Sequence, residues 1–180
     1  GSAVWVEFGN FDGGPEFGDS GDEVVTGIAF ASNGDLVISG TTTNTTLDNQ
    51  VNIAHSGGLD GFVLFVGESN GNIGSVSYLG TAGTDEAFAL TVDTATEDVY
   101  ITGSTDETSS GNTDGFVIRL NSSGALQWSH QFNGGFDNIS KGIAYGANGA
   151  SVLSRLGLPN GQVPPDVSDV VTTTTVRPNQ

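Results

Sequence analysis

A phrase of sequence recurs along this chain, and repetition constrains the fold more tightly than any single residue does. The first copy reads Asp22-Glu23-Val24-Val25-Thr26-Gly27-Ile28-Ala29-Phe30, then Asp35-Leu36-Val37-Ile38-Ser39-Gly40-Thr41-Thr42, then Asp60-Gly61-Phe62-Val63. The second reads Asp85-Glu86-Ala87-Phe88-Ala89-Leu90-Thr91-Val92, then Asp98-Val99-Tyr100-Ile101-Thr102-Gly103-Ser104-Thr105, then Asp114-Gly115-Phe116-Val117. A partial third copy runs from Asp137 through Ile143-Ala144-Tyr145 to Ser151-Val152-Leu153-Ser154.

Within each copy apolar residues alternate with period two, in short runs bounded by Gly, Asn and Asp, which is the pattern of half-buried strands. First strands are expected at Val24–Phe30, Ala87–Val92 and Ile139–Tyr145. Second strands follow at Leu36–Thr41, Val99–Ser104 and Ser151–Ser154. Third strands fall at Gly61–Val66 and Gly115–Leu120, and fourth strands at Ile73–Leu79 and Ala125–Phe132. Asn33-Gly34, Asn70-Gly71, Ser123-Gly124 and Asn148-Gly149 supply the hairpin turns. The first copy is longer than the second because of a polar stretch, Thr43–Gly58, which reads as a loop.

The fold expected is therefore all-β: three repeated four-stranded antiparallel sheets, arranged as propeller-like blades or as a prism. Ala3–Asn10 resembles Ala125–Asn133 and reads as a fourth strand lacking its own sheet, so the N-terminal strand is expected to complete the last one. Closure of that kind removes exposed sheet edges. Residues 1–154 form the repeat domain. Residues 155–180 form a tail whose strand, Val170–Val176, either completes the third sheet or starts a next module.

Charge excludes some partners. With 4 basic and 21 acidic residues the net charge is −17, which opposes binding to phosphate backbones or anionic lipid. No apolar run approaches the roughly 20 residues of a membrane-spanning helix, so membrane insertion is not expected. The chain has no Cys, so disulfides and thiolate metal sites are excluded.

Taken together, Gly27-Ile28-Ala29-Phe30, Leu36–Thr42, Gly58–Val63, Asp98–Thr105 and Asp114–Val117 resemble the SBBP repeat family of bacterial β-propellers, over roughly residues 1–154. The resemblance implies an extracellular or cell-surface scaffold. It transfers no catalytic residue, because such repeats are not tied to one activity. The chain departs from the family in its repeat number and in the tail after Arg155; propellers usually have about 4–8 blades.

Two readings attach to the acidic residues. Asp22, Asp85 and Asp137 fall in one column and suit capping of the turn before each first strand. Carboxylates in Gly/Asp/Asn loops also suit calcium, a hard cation that takes several oxygens. The candidate metal residues are Asp12, Glu16, Asp19, Asp22 and Glu23 in one group and Asp93, Glu97 and Asp98 in another. Asp60-Gly61 and Asp114-Gly115 read as turn formers. His55 and His130 lack partners at metal spacing, and no Gly-x-Ser-x-Gly elbow is present.

The function expected is a non-catalytic structural or adhesive module of a bacterial surface assembly, with calcium as candidate cofactor. Its partners would be further copies of itself or other surface proteins. A carbohydrate-binding module is the alternative, with Phe11, Phe17 and Phe136 as loop aromatics that would stack on sugars.

Overall fold

The computed structural model describes residues 21–47, 51–68, 73–106, 111–132, 137–146, 149–156 and 171–176, and from 151 onward only the backbone course. Every regular element among them is a strand: β1 (Glu23–Phe30), β2 (Leu36–Thr42), β3 (Val51–Ile53), β4 (Asp60–Val66), β5 (Ile73–Leu79), β6 (Thr84–Asp93), β7 (Asp98–Asp106), β8 (Asp114–Leu120), β9 (Leu126–Phe132), β10 (Asn138–Gly146), β11 (Gly149–Leu156) and β12 (Val171–Val176). They form a five-stranded sheet in the order β1-β2-β4-β5-β3, a four-stranded sheet β6-β7-β8-β9 and a three-stranded sheet β10-β11-β12. Neighbours are antiparallel except β3, which lies parallel to β5.

This corrects the expectation of three equal four-stranded blades. Among the described residues the sheets are open and unequal and no sheet closes on itself, so the propeller-like and prism-like arrangements do not hold. The first sheet gains a fifth strand, β3, from the stretch read as a polar loop. The N-terminal strand proposed to complete the last sheet lies outside the described residues. At the other end of that sheet, β12 pairs with β11, from Ala150 opposite Val176 to Arg155 opposite Val171.

Packing explains the repeated phrase. β2 sends Val37 to one face of its sheet and Ile38 to the other, and both are buried. One core fills the seam between the first two sheets: Val37, Val63 and Leu79 meet Ala87, Val99, Ile101 and Phe116, with Leu90 and Val92 at its margin. A second core, containing Ile38, Phe62, Leu64 and Tyr78, lies on the opposite face of the first sheet. Burying each such side chain stabilises the fold by about 1.5–3 kcal/mol relative to exposure.

The glycines of the phrase mark close approaches. A Cβ on Gly40 would stand 2.6 Å from the Phe62 ring, and one on Gly103 would stand 2.7 Å from the Phe116 ring. The missing side chain of β2 or β7 thus admits the Phe of the next strand. Gly61 and Gly115 work across the seams: a Cβ there would lie 3.2 Å from the Ala87 Cβ and 2.5 Å from the Ser140 hydroxyl. Asp-Gly-Phe is therefore not a turn. It opens β4 and β8 and leaves room for the first strand of the following sheet.

Each first strand also carries a bulge at the same place. Register shifts fall between Val25 and Gly27, between Ala87 and Ala89, and between Ser140 and Gly142. The extra residues are Thr26, Phe88 and Lys141, and bulges of this kind redirect side chains. The Thr26 hydroxyl donates to the Ala87 carbonyl at 2.7 Å. The Lys141 ammonium sits 3.1 Å from the centre of the Phe88 ring. The irregularity thus supplies contacts from sheet to sheet.

Gly103→Ala is expected to lower stability by about 2 kcal/mol or more, because overpacking at the Phe116 ring cannot relax freely. Gly58→Ala, where a Cβ would meet nothing within 4 Å, is expected to leave stability nearly unchanged. Urea denaturation of the two variants checks the contrast.

Candidate functional site

Two short loops with one pattern meet at the first seam. Ser56-Gly57-Gly58-Leu59-Asp60 enters β4, and Thr81-Ala82-Gly83-Thr84-Asp85 enters β6. In each, the hydroxyl residue donates its backbone N–H to the carboxylate four residues on: Ser56 to Asp60 at 2.7 Å, and Thr81 to Asp85 at 2.7 Å. The hydroxyls reach the same carboxylates at 3.3 and 3.2 Å. The loops lie side by side through the parallel bridge of Leu59 with Thr84. The Asp85 N–H donates to the Leu59 carbonyl at 2.7 Å, and the Ser56 hydroxyl donates to the Thr81 carbonyl at 2.9 Å.

This places two carboxylates together and out of water. Asp60 is 0% exposed and Asp85 is 1% exposed. A Cβ on Gly80 would lie 2.8 Å from Asp60 Oδ1 and 2.8 Å from Asp85 Oδ2, so one glycine separates the two groups. Among the described residues, Asp60 Oδ1 is buried without a hydrogen-bond partner. Its other oxygen faces His55 Nδ1 at 3.8 Å. The His55 ring packs edge-on against Tyr78, and its Nε2 is buried without a partner. Burial pushes the Asp85 carboxyl above the usual carboxylate range; the Thr105 and Thr81 groups beside it oppose that rise, and the Asp60 carboxylate adds to it. Two like charges this close and this dry favour a shared proton or a cation.

A cavity of about 170 Å³ opens beside the pair, with Gly80, Thr81, Asp85 and Thr105 on its polar side and Phe116 and Ile118 on its apolar side.

The second seam repeats the backbone bond with Asn138 at the place of Asp85. The Asn138 N–H donates to the Thr113 carbonyl at 2.6 Å, as Asp85 does to Leu59. Register puts Glu23, Asp85 and Asn138 in one column, each three residues before a bulge. The column read from sequence, Asp22 with Asp85 and Asp137, is thus displaced by one position at Asp85. Asp137 does serve as a cap, accepting the Thr113 N–H at 3.0 Å.

The predicted metal residues divide. Asp93, Glu97 and Asp98 come together at the β6–β7 turn, but each is committed elsewhere. Asp98 pairs with Arg119 at 2.5 Å, and the Arg119 guanidinium also lies over the Tyr100 ring at 5.9 Å. Glu97, at φ 60°, accepts the N–H and hydroxyl of Ser32 in the turn between β1 and β2. Burial raises the Asp93 carboxyl, but the Ala95 N–H, the Tyr145 phenol and the Thr96 groups more than offset it, leaving Asp93 below the ordinary carboxylate value. The same bond pushes Tyr145 up to about 12. Since Tyr145 belongs to β10 and stacks on Tyr100 with ring centres 5.2 Å apart, this network ties the third sheet to the second.

Asp22 is exposed, with its N–H bonded to the Thr43 hydroxyl, and Glu23 accepts the Thr42 hydroxyl at 3.2 Å. Asp12, Glu16 and Asp19 lie outside the described residues, as do the aromatic candidates Phe11, Phe17 and Phe136. Among the described residues no group of three or more His, Cys, Asp or Glu side chains could hold a metal ion. The Asp60–Asp85 pair was not foreseen as a site. Its signal in the sequence is the doubled Ser/Thr-x-Gly-x-Asp spacing.

No family model matches the chain. With the open sheets, this corrects the assignment to the SBBP propeller repeats. The chain is similar to Regulatory protein FlaEY of Caulobacter vibrioides, with 30% identity over 141 residues, covering 71% of this chain and 14% of that protein. The chain thus spans about a seventh of that relative's length.

Two substitutions separate the roles. A carboxyl raised on folding adds stability at low pH and loses it as pH rises through the raised value. Asp85→Asn is therefore expected to melt higher than wild type at neutral pH in EDTA, with the difference vanishing in acid. Tyr145→Phe removes a hydrogen bond to a charged group and is expected to cost about 1.5–3 kcal/mol at neutral pH. Thermal melting across pH checks the first, and chemical denaturation checks the second.

Proposed function

We propose that this chain is a non-catalytic structural module of a bacterial surface assembly, acting by presenting rigid sheets. The observation that supports this best is the employment of its acidic side chains. Asp93, Asp98 and Asp137 are bound to N–H groups, hydroxyls or a guanidinium at strand ends and seams. Chemistry would instead call for acid–base groups free to face a substrate. The acidic, Cys-free composition suits an exported protein that must remain soluble at high local concentration. The similarity to a stretch of a longer bacterial regulatory protein is compatible with a module that serves through contacts within a larger chain.

β1 offers the contact surface. It is the outer strand of the first sheet, and Ile28 and Phe30 are 64% and 69% exposed on it, with Val24 alongside. An apolar edge of this kind joins other sheets unless it is covered. The purified domain is expected to associate with rising concentration in sedimentation velocity, and Ile28→Lys with Phe30→Lys to remain monomeric without a change in melting. A wild-type chain that stays monomeric throughout contradicts the assembly reading. Resistance of the parent protein to protease on intact cells contradicts the surface location.

A further inference from the structure

We propose that the Asp60–Asp85 seam is a calcium site. This goes beyond the scaffold reading and stands whether or not the module assembles.

The geometry begins with the glycines. A Cβ on Gly57 would lie 2.6 Å from the Thr81 carbonyl oxygen, 2.7 Å from the Gly83 carbonyl oxygen and 3.1 Å from Asp60 Oδ1. A Cβ on Gly80 would lie 2.8 Å from Asp60 Oδ1 and 2.8 Å from Asp85 Oδ2. The two glycines thus let Asp60 Oδ1 approach Asp85 Oδ2 on the Gly80 side and the Thr81 and Gly83 carbonyl oxygens on the Gly57 side, and a Cβ at either position would clash with them. Asp60 Oδ1 is the oxygen that approaches both glycines. It is buried and has no donor, and leaving a buried acceptor unsatisfied is costly, more so for a charged group.

A cation resolves both the orphaned oxygen and the paired negative charge. The donor set is oxygen throughout, from two carboxylates and two carbonyls, and calcium accepts such sets with irregular geometry and water in the remaining positions. Magnesium demands stricter octahedral geometry and keeps its water. The adjoining cavity, whose polar side includes Thr81, Asp85 and Thr105, gives entry and room for water. The second seam is the internal control. It holds the same backbone bond but carries neutral Asn138 where the first has Asp85. A carboxylate at the Asp85 position is therefore dispensable for joining sheets.

His55 offers the competing account. Its Nδ1, 3.8 Å from Asp60, offers that carboxylate a partner without metal.

Isothermal titration and thermal melting of EDTA-stripped protein, with calcium chloride and separately with magnesium chloride, decide the matter. The proposal expects one strong calcium site per chain, a higher melting temperature in calcium than in magnesium, and loss of about tenfold or more in affinity in both Asp60→Asn and Asp85→Asn. Asp85→Asn should fold well without metal, so its lost calcium response cannot be ascribed to misfolding. Three results overturn the site: melting unaffected by calcium; melting that rises only on acidification; or calcium binding unchanged in Asp85→Asn, which would move the ion elsewhere.

Discussion

One backbone hydrogen bond, made twice, sets how the sheets meet. The carbonyl before each Asp-Gly-Phe segment accepts an N–H from the start of the next sheet's first strand, Leu59 from Asp85 and Thr113 from Asn138. Buried backbone groups must find partners, and this bond satisfies one at the very place where a strand leaves one sheet and crosses the next. The rest follows from the crossing. Gly61 and Gly115 must lack side chains because Ala87 and Ser140 pass over them. The bulged residues Thr26 and Lys141 reach the following or preceding sheet at Ala87 and Phe88. The Phe62 and Phe116 rings, displaced from the crossing, fill the spaces left by Gly40 and Gly103.

Upon this shared frame the two seams diverge in charge. The first buries two carboxylates beside one glycine; the second has Asn138 at the position of Asp85 and places its acid, Asp137, one residue earlier as a turn cap. Buried charge is expensive, and replacement by a neutral group is often tolerated or stabilising. A chain that keeps the expensive version at one seam and the cheap one at the other is using the first for something besides cohesion. The Asp93–Tyr145 and Asp98–Arg119 contacts show the opposite case, in which carboxylates near a seam are fully supplied with donors and serve cohesion alone.

Strand positions were legible from the alternation of apolar residues and from turn residues such as Asn33-Gly34 and Ser123-Gly124. β2, β4, β5, β7 and β8 lie within a residue or two of their expected bounds. These signals are local. The number of strands in a sheet and the openness of its edges are not local, and there the expectation failed. β3 is only Val51–Ile53 within a polar stretch, too short for alternation to register, yet it widens the first sheet to five. Residue identity misplaced the acids: it matches Asp85-Glu86 to Asp22-Glu23, whereas the hydrogen-bond register matches Asp85 to Glu23. Asp60 looked like a turn residue because Asp-Gly is the commonest turn pair. Its burial is a consequence of the crossing strand, which no neighbouring residue in sequence announces.

Native-state hydrogen exchange of individual amides tests the crossing bond most directly. If it governs how the sheets join, the Asp85 and Asn138 amides exchange as slowly as those of Ile101 and Val117 in the middle of β7 and β8, through the same cooperative opening. Fast, independent exchange at Asp85 and Asn138, at the rate of the amide of Asn33, an exposed turn residue, would contradict it.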